Sequence, residues 1–173
     1  MFNGFSGISR VLVLAGLLQA GLPALAAKLQ ISGNIKAGAC EVDAANSNIQ
    51  VNLGDNISAA TLATSGSASG WIEFPLTLKN CPATTTSAKA TFSGTAADEN
   101  AGLYKSVGTS VRVQIELQNQ NGDNLGNGKS MVQSVDRPSH EAKFNLRARA
   151  YSTHGGATPG TIEGAMQITF VYE

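Results

Sequence analysis

Charge is scarce in this chain. Asp, Glu, Lys and Arg make up 14% of its 173 residues, with 12 cations against 12 anions, where soluble domains average about 25% charged residues. A near-neutral chain lacks the basic stripe that a phosphate backbone demands, so nucleic acid is not an expected partner. Histidine is scarcer still. His140 and His154 are the only two, and neither sits in a His-x-His or Glu-x-x-His spacing that would hold a metal. His154 precedes Gly155-Gly156 with no Gly-x-Ser-x-Gly elbow, and reads as a turn residue. The glycine-rich stretches lack the Lys-Ser/Thr ending of a phosphate loop. No catalytic residue, metal, cofactor or small-molecule substrate is expected, and the chain does not read as an enzyme.

Helical periodicity and long apolar runs are missing as well. The one apolar stretch of note lies in residues 1–26, which carry a single cation, Arg10, ahead of the run 11–18. Gly21-Leu22-Pro23 and the small-x-small Ala24-Leu25-Ala26 follow, the pattern of a secretory signal peptide. The run is shorter than the roughly 20 residues a spanning helix needs. Cleavage after Ala26, or after Ala27, leaves about 147 residues, suited to one domain burying roughly 68–70% of its unfolded surface. The mature chain is expected to be exported, and loses only Arg10, which shifts its net charge from zero to −1. Cys40 and Cys81 are the only cysteines. In an oxidising compartment they most simply form one disulfide, closing a loop of about 40 residues for roughly 4 kcal/mol. A reactive pair would prefer a Cys-x-x-Cys spacing, which is absent.

What fills the mature chain is alternation. Ile72, Phe74, Leu76 and Leu78 alternate with Glu73, Pro75, Thr77 and Lys79; Val111, Val113, Ile115 and Leu117 alternate with Arg112, Gln114 and Glu116. Phe144, Leu146, Ala148 and Ala150 do the same, as do Met166, Ile168, Phe170 and Tyr172. A period of two means strands with one face buried and one wet. Strands are expected near 40–43, 49–53, 71–79, 89–93, 111–117, 131–135, 143–151 and 165–172. Turn signals such as Asn121-Gly122, Asn127-Gly128 and Thr158-Pro159-Gly160 separate them. Short strands at this spacing argue for an all-β, immunoglobulin-like Greek-key sandwich. Pro75, on the wet face of its strand, marks an edge or a bulge.

One patterned stretch stands apart. Leu29, Ile31, Gly33 and Ile35 alternate with Lys28, Gln30, Ser32 and Asn34 ahead of the first cysteine. Terminal residues are poorly ordered unless tied down, so this arm must find a sheet, its own or another molecule's. The last strand pattern runs to Glu173, so an amphipathic arm at one end faces an abrupt strand end at the other.

Together these features resemble a subunit of chaperone–usher fimbriae. The resemblance covers the mature chain: the arm with Gly33, Cys40, Cys81 after Trp71-Ile72-Glu73-Phe74, then Phe92-Ser93-Gly94-Thr95-Ala96. The C-terminal stretch is the most specific part, with Gly160 fourteenth from the end, alternating apolar residues, and the penultimate aromatic Tyr172. Gly66-Ser67-Ala68-Ser69-Gly70-Trp71, 114–118 and 155–161 are most similar to the minor adaptor subunit of type 1 fimbrial tips. The resemblance implies an incomplete sandwich at 37–173 that lacks its seventh strand. A periplasmic chaperone fills the gap first. At the outer-membrane usher, the arm of a neighbouring subunit then replaces it by donor-strand exchange, on the way to an extracellular fimbrium that includes a tip adhesin. It implies residues 27–36 as donor strand, with Leu29, Ile31 and Ile35 inserted and Gly33 at a crowded point. It implies Gly160, Met166, Ile168, Phe170 and Tyr172 as groove edge and chaperone contact, and a Glu173 carboxylate held by basic chaperone residues.

Read from the residues alone, the arm is also compatible with an ordinary first strand. The chain would then be a self-complemented secreted adhesin or lectin module; within the family, a major shaft pilin is the other alternative. Trp71 could stack on a carbohydrate or simply pack at a strand start, and Arg147 and Arg149 read as a solvated face.

Overall fold

Residues 32, 38–43 and 49–173 are described by the computed structural model. The leader at 1–26 and, Ser32 aside, the arm at 27–36 lie outside the described residues. From Gly38 onward the architecture is all-β, with one 3-10 turn at Ala59–Leu62 started by the Ser58 hydroxyl, which accepts the Ala60 N–H.

The central strand follows directly from its sequence. Ala142–Ser152 (β8) alternates so that Ala142, Phe144, Leu146, Ala148 and Ala150 are all buried. It pairs antiparallel with Ile72–Lys79 (β3) on one side and Gln114–Asn119 (β6) on the other. Glu41–Val42 (β1) extends that sheet beside β3 and Tyr104–Lys105 (β5) beside β6, while Ser67–Ala68 (β2) pairs with the end of β8. The facing sheet has Ser87–Gly94 (β4) between Ser130–Ser134 (β7) and Met166–Tyr172 (β9). Apart from the consecutive pair β5 and β6, neighbours in both sheets are not consecutive in the chain, the Greek-key arrangement of an immunoglobulin-like sandwich.

The core lies between the sheets. Phe92 with Ala88 and Ala90 from β4 meets Leu76, Leu78, Phe144 and Leu146; small residues opposite large ones let the two faces interdigitate. Tyr104 is buried beside them and donates its hydroxyl to the Leu125 carbonyl at 2.8 Å. Burial pushes its phenol up to about 12. Cys40 and Cys81 form the expected disulfide. It ties β1 to the end of β3.

Several expected elements come out differently. Residues 49–53 keep their alternation, with Ile49, Val51 and Leu53 half-buried and Gln50 and Asn52 exposed, yet they form no strand. Among the described residues no partner completes a ladder there. β6 starts at Gln114 rather than 111, because Arg112 turns the chain with φ 61° and leaves Val111 exposed. Glu116, expected on the wet face, is buried under Arg149, whose Nε donates to its carboxylate at 2.6 Å. The two-residue strands β2 and β5 are too short for periodicity to reveal. Pro75 pairs across β3–β8 with Asn145 and lies beyond the short β1 pairing on the other flank, an edge position as expected.

Candidate functional site

The sandwich is open on one side. β9 ends its sheet, so one flank of it is unpaired among the described residues. Ser87 and Glu173 exchange N–H···O bonds of 3.0 and 2.9 Å. In an antiparallel pair, bonded and non-bonded positions alternate, so Val171, Thr169 and Gln167 turn their backbone toward β4. The N–H and C=O groups of Ile168, Phe170 and Tyr172 therefore point out along the free flank. The side chains of the same three residues face inward and are only half-buried.

Beside this flank runs a groove of about 1200 Å³. Its floor is the core itself, with Phe74, Leu76, Ile115, Leu146 and Phe92. One rim is β9 with Met166, Ile168 and Phe170; the other is the strandless segment with Ile49, Val51 and Leu53. Phe170 links rim to core, 5.9 Å from the Phe144 ring and 6.4 Å from that of Tyr172. No ionisable side chain lies on the floor. Asp55 and Glu163 also line the groove, and the arrangement can take an extended apolar-alternating chain, with main-chain bonds to β9 and side chains downward.

The groove's end near Gly160 is pinned. Val107 N–H donates to the Glu163 carbonyl at 2.7 Å and Ser110 N–H to the Thr161 carbonyl at 3.0 Å, while the Thr109 hydroxyl accepts the Thr161 N–H at 2.9 Å. Gly160 lines the groove there, and a Cβ on it would collide with the Ser110 backbone. Only glycine permits this approach.

The remaining sequence-singled residues sort as follows. Tyr172 packs on the core and donates its hydroxyl to the Cys40 carbonyl at 3.2 Å, with burial pushing its phenol up. Glu173 is exposed, its main-chain oxygen held by the Thr86 and Ser87 amides. Leu29, Ile31, Gly33 and Ile35 lie outside the described residues. His140 places Nδ1 3.0 Å from the Cys81 carbonyl, and His154 sits exposed in a bend. No cluster of three or more metal-ligating side chains occurs among the described residues. Arg147 and Arg149 are not free solvated charges: both guanidiniums stack on Trp71, 4.4 and 4.1 Å from the ring centre, and bond to Gln118 and Glu116. Sequence reasoning expected a strand at 49–53 and missed that this segment is a groove rim without a ladder among the described residues; alternation does not say who the partner is.

Two Greek-key sheets enclosing a core, with an apolar groove along a strand unpaired on one flank among the described residues, define the class: an immunoglobulin-like sandwich. The Fimbrial protein family matches residues 29–173, and the chain belongs to that family, whose members assemble with other pilus subunits. Protein FimG of Escherichia coli K12 is 38% identical over 163 residues, 92% of this chain and 95% of FimG. The uncharacterized fimbrial-like protein YdeR of the same organism is 35% identical over 157 residues, 91% of each chain. Among solved structures, the P pilus rod subunit PapA superposes with a TM-score of 0.66 at 16% identity, over 78% of this chain and 99% of PapA; that likeness speaks to the fold.

Proposed function

We propose that the groove is a strand-acceptor site and residues 27–36 a donor strand, so that the chain is a two-ended connector in a chaperone–usher fimbria. A periplasmic chaperone lends the groove a strand. At the outer-membrane usher, the arm of the next subunit replaces that strand, and this chain's own arm enters a neighbour. The carrying observation is β9, whose inward side chains and outward backbone groups both await a partner along the same flank. Strand addition supplies both needs: main-chain bonds give generic affinity and alternate side chains give specificity. Burying Leu29, Ile31 and Ile35 does not by itself offset the entropy of ordering the arm. The ladder bonds and the completed core supply the rest. An uncovered edge of this kind invites aggregation, which gives the chaperone its physical task.

The position in the fimbria is read as a minor tip adaptor, next to an adhesin. This rests on the segments at 66–71, 114–118 and 155–161, and on the end-to-end match to FimG. Removal of residues 27–36 tests the donor role. The truncated chain is expected to keep its fold and take up a donor peptide with a neighbouring subunit's arm sequence, but not to join a neighbour. Loss of its own fold, rescued by a peptide of residues 27–36, would instead make the arm a self-complementing strand. Tyr172→Ala is expected to lower co-purification with the chaperone; unchanged capture would count against the groove-edge role.

A further inference from the structure

At the pole where the arm meets the body, contacts converge on residues 38–40. Thr85 is 4% exposed and donates its hydroxyl to the Gly38 carbonyl at 2.7 Å. Its own amide closes a turn onto the Pro82 carbonyl at 2.9 Å. Gly38 lies flat on the Pro82 ring, so close that a Cβ would stand 2.7 Å from Pro82 Cγ. Cys40 is bonded to Cys81, and its carbonyl accepts the Tyr172 hydroxyl at 3.2 Å. These four attachments fall on Gly38 and Cys40. A buried hydroxyl spent on a carbonyl 47 positions away is more than β1 needs, since β1 begins only at Glu41.

We propose that this cluster is a socket for the root of the donor arm, with Thr85 and Tyr172 as positioning residues that fix the direction in which the arm leaves the body. The inference rests on the donor reading above. A donor strand that leads into a clamped Gly38 would have little slack at its root, and the joint to the accepting subunit would be stiff. Tyr172 also belongs to β9, so the strand that borders this subunit's own groove steadies its outgoing arm.

The test uses complexes of the full chain with the fimbrial subunit that accepts its arm, spin-labelled on both bodies, and reads the distance distribution across the joint. The wild-type distribution is expected to be narrow. Thr85→Val, which strips the hydroxyl and keeps the shape, should broaden it, and Thr85→Ser should restore it. Tyr172→Phe keeps the ring and should broaden it less; it carries the test if Thr85→Val does not fold. Val113→Ala loosens the core beside Leu62 and Ala150, away from the socket, and should leave the distribution unchanged. Complexes of Thr85→Val or Tyr172→Phe with the wild-type width would overturn the socket while leaving the donor reading intact. No complex from the wild-type chain would overturn the donor reading, and the socket with it.

Discussion

β8 and β9 carry the same alternation, and the structure treats them differently. Along β8 every inward residue from Ala142 to Ala150 is at most 4% exposed, because β3 and β6 flank it and β4 faces it. Along β9, Met166, Ile168, Phe170 and Tyr172 are equally spaced, yet all stay half-buried, the first three along the groove. The same code is answered in one strand and, among the described residues, left unanswered on one flank of the other.

The largest contrast should appear on truncation of matched aromatics. Phe144→Ala on β8 removes a fully buried ring and is expected to cost about 3–5 kcal/mol in urea unfolding, with or without a donor peptide carrying a neighbouring subunit's arm sequence. Losing the disulfide acts on both strands at once. Cys40→Ser is expected to lower stability by about 2–5 kcal/mol, and an unchanged urea midpoint would show the bridge to be dispensable. Phe170→Ala sharpens the comparison. In the free chain it should cost less than Phe144→Ala, and with the peptide bound its cost should rise toward about 3–5 kcal/mol. Equal costs in both states would mean that the peptide does not cover β9.

That difference could be read only partly in advance. The faces of β3, β4, β8 and β9 were legible because each follows a strict period of two, and the disulfide because only two cysteines exist. The 49–53 rim reads as a strand for the same reason, but a ladder needs a second chain segment, and no period names one. Val111 sits outside β6 because Arg112 adopts a positive φ, which its residue type does not announce. Glu116 and Gln114 are buried through Arg149 and through Glu99, whose carboxylate accepts the Gln114 amide at 2.6 Å; such long-range pairings are invisible to local pattern. The groove itself became legible only through the resemblance of the C-terminal stretch to fimbrial subunits, since a missing strand leaves no mark on periodicity.

A smaller effect probes the closed side alone. Tyr104 holds its phenol pKa at about 12, above the 10.0 of an exposed tyrosine, through burial. A pKa raised on folding contributes stability that is whole below pH 10 and fades as the pH climbs toward 12. Thermal melts from pH 9 upward should therefore drop across that window, and Tyr104→Phe should flatten the drop. An equally steep fall in the variant would assign the alkaline transition to other groups.

The most direct measurement is residue-resolved hydrogen exchange of the amides along β9, with and without a donor peptide carrying a neighbouring subunit's arm sequence. In the free chain, the amides of Thr169 and Val171, turned toward β4, should be protected, while those of Ile168, Phe170 and Tyr172 exchange quickly. The peptide should slow those three selectively. If they are already as protected as the β8 amides before any strand is added, the flank is not open, and the chain completes its own sandwich.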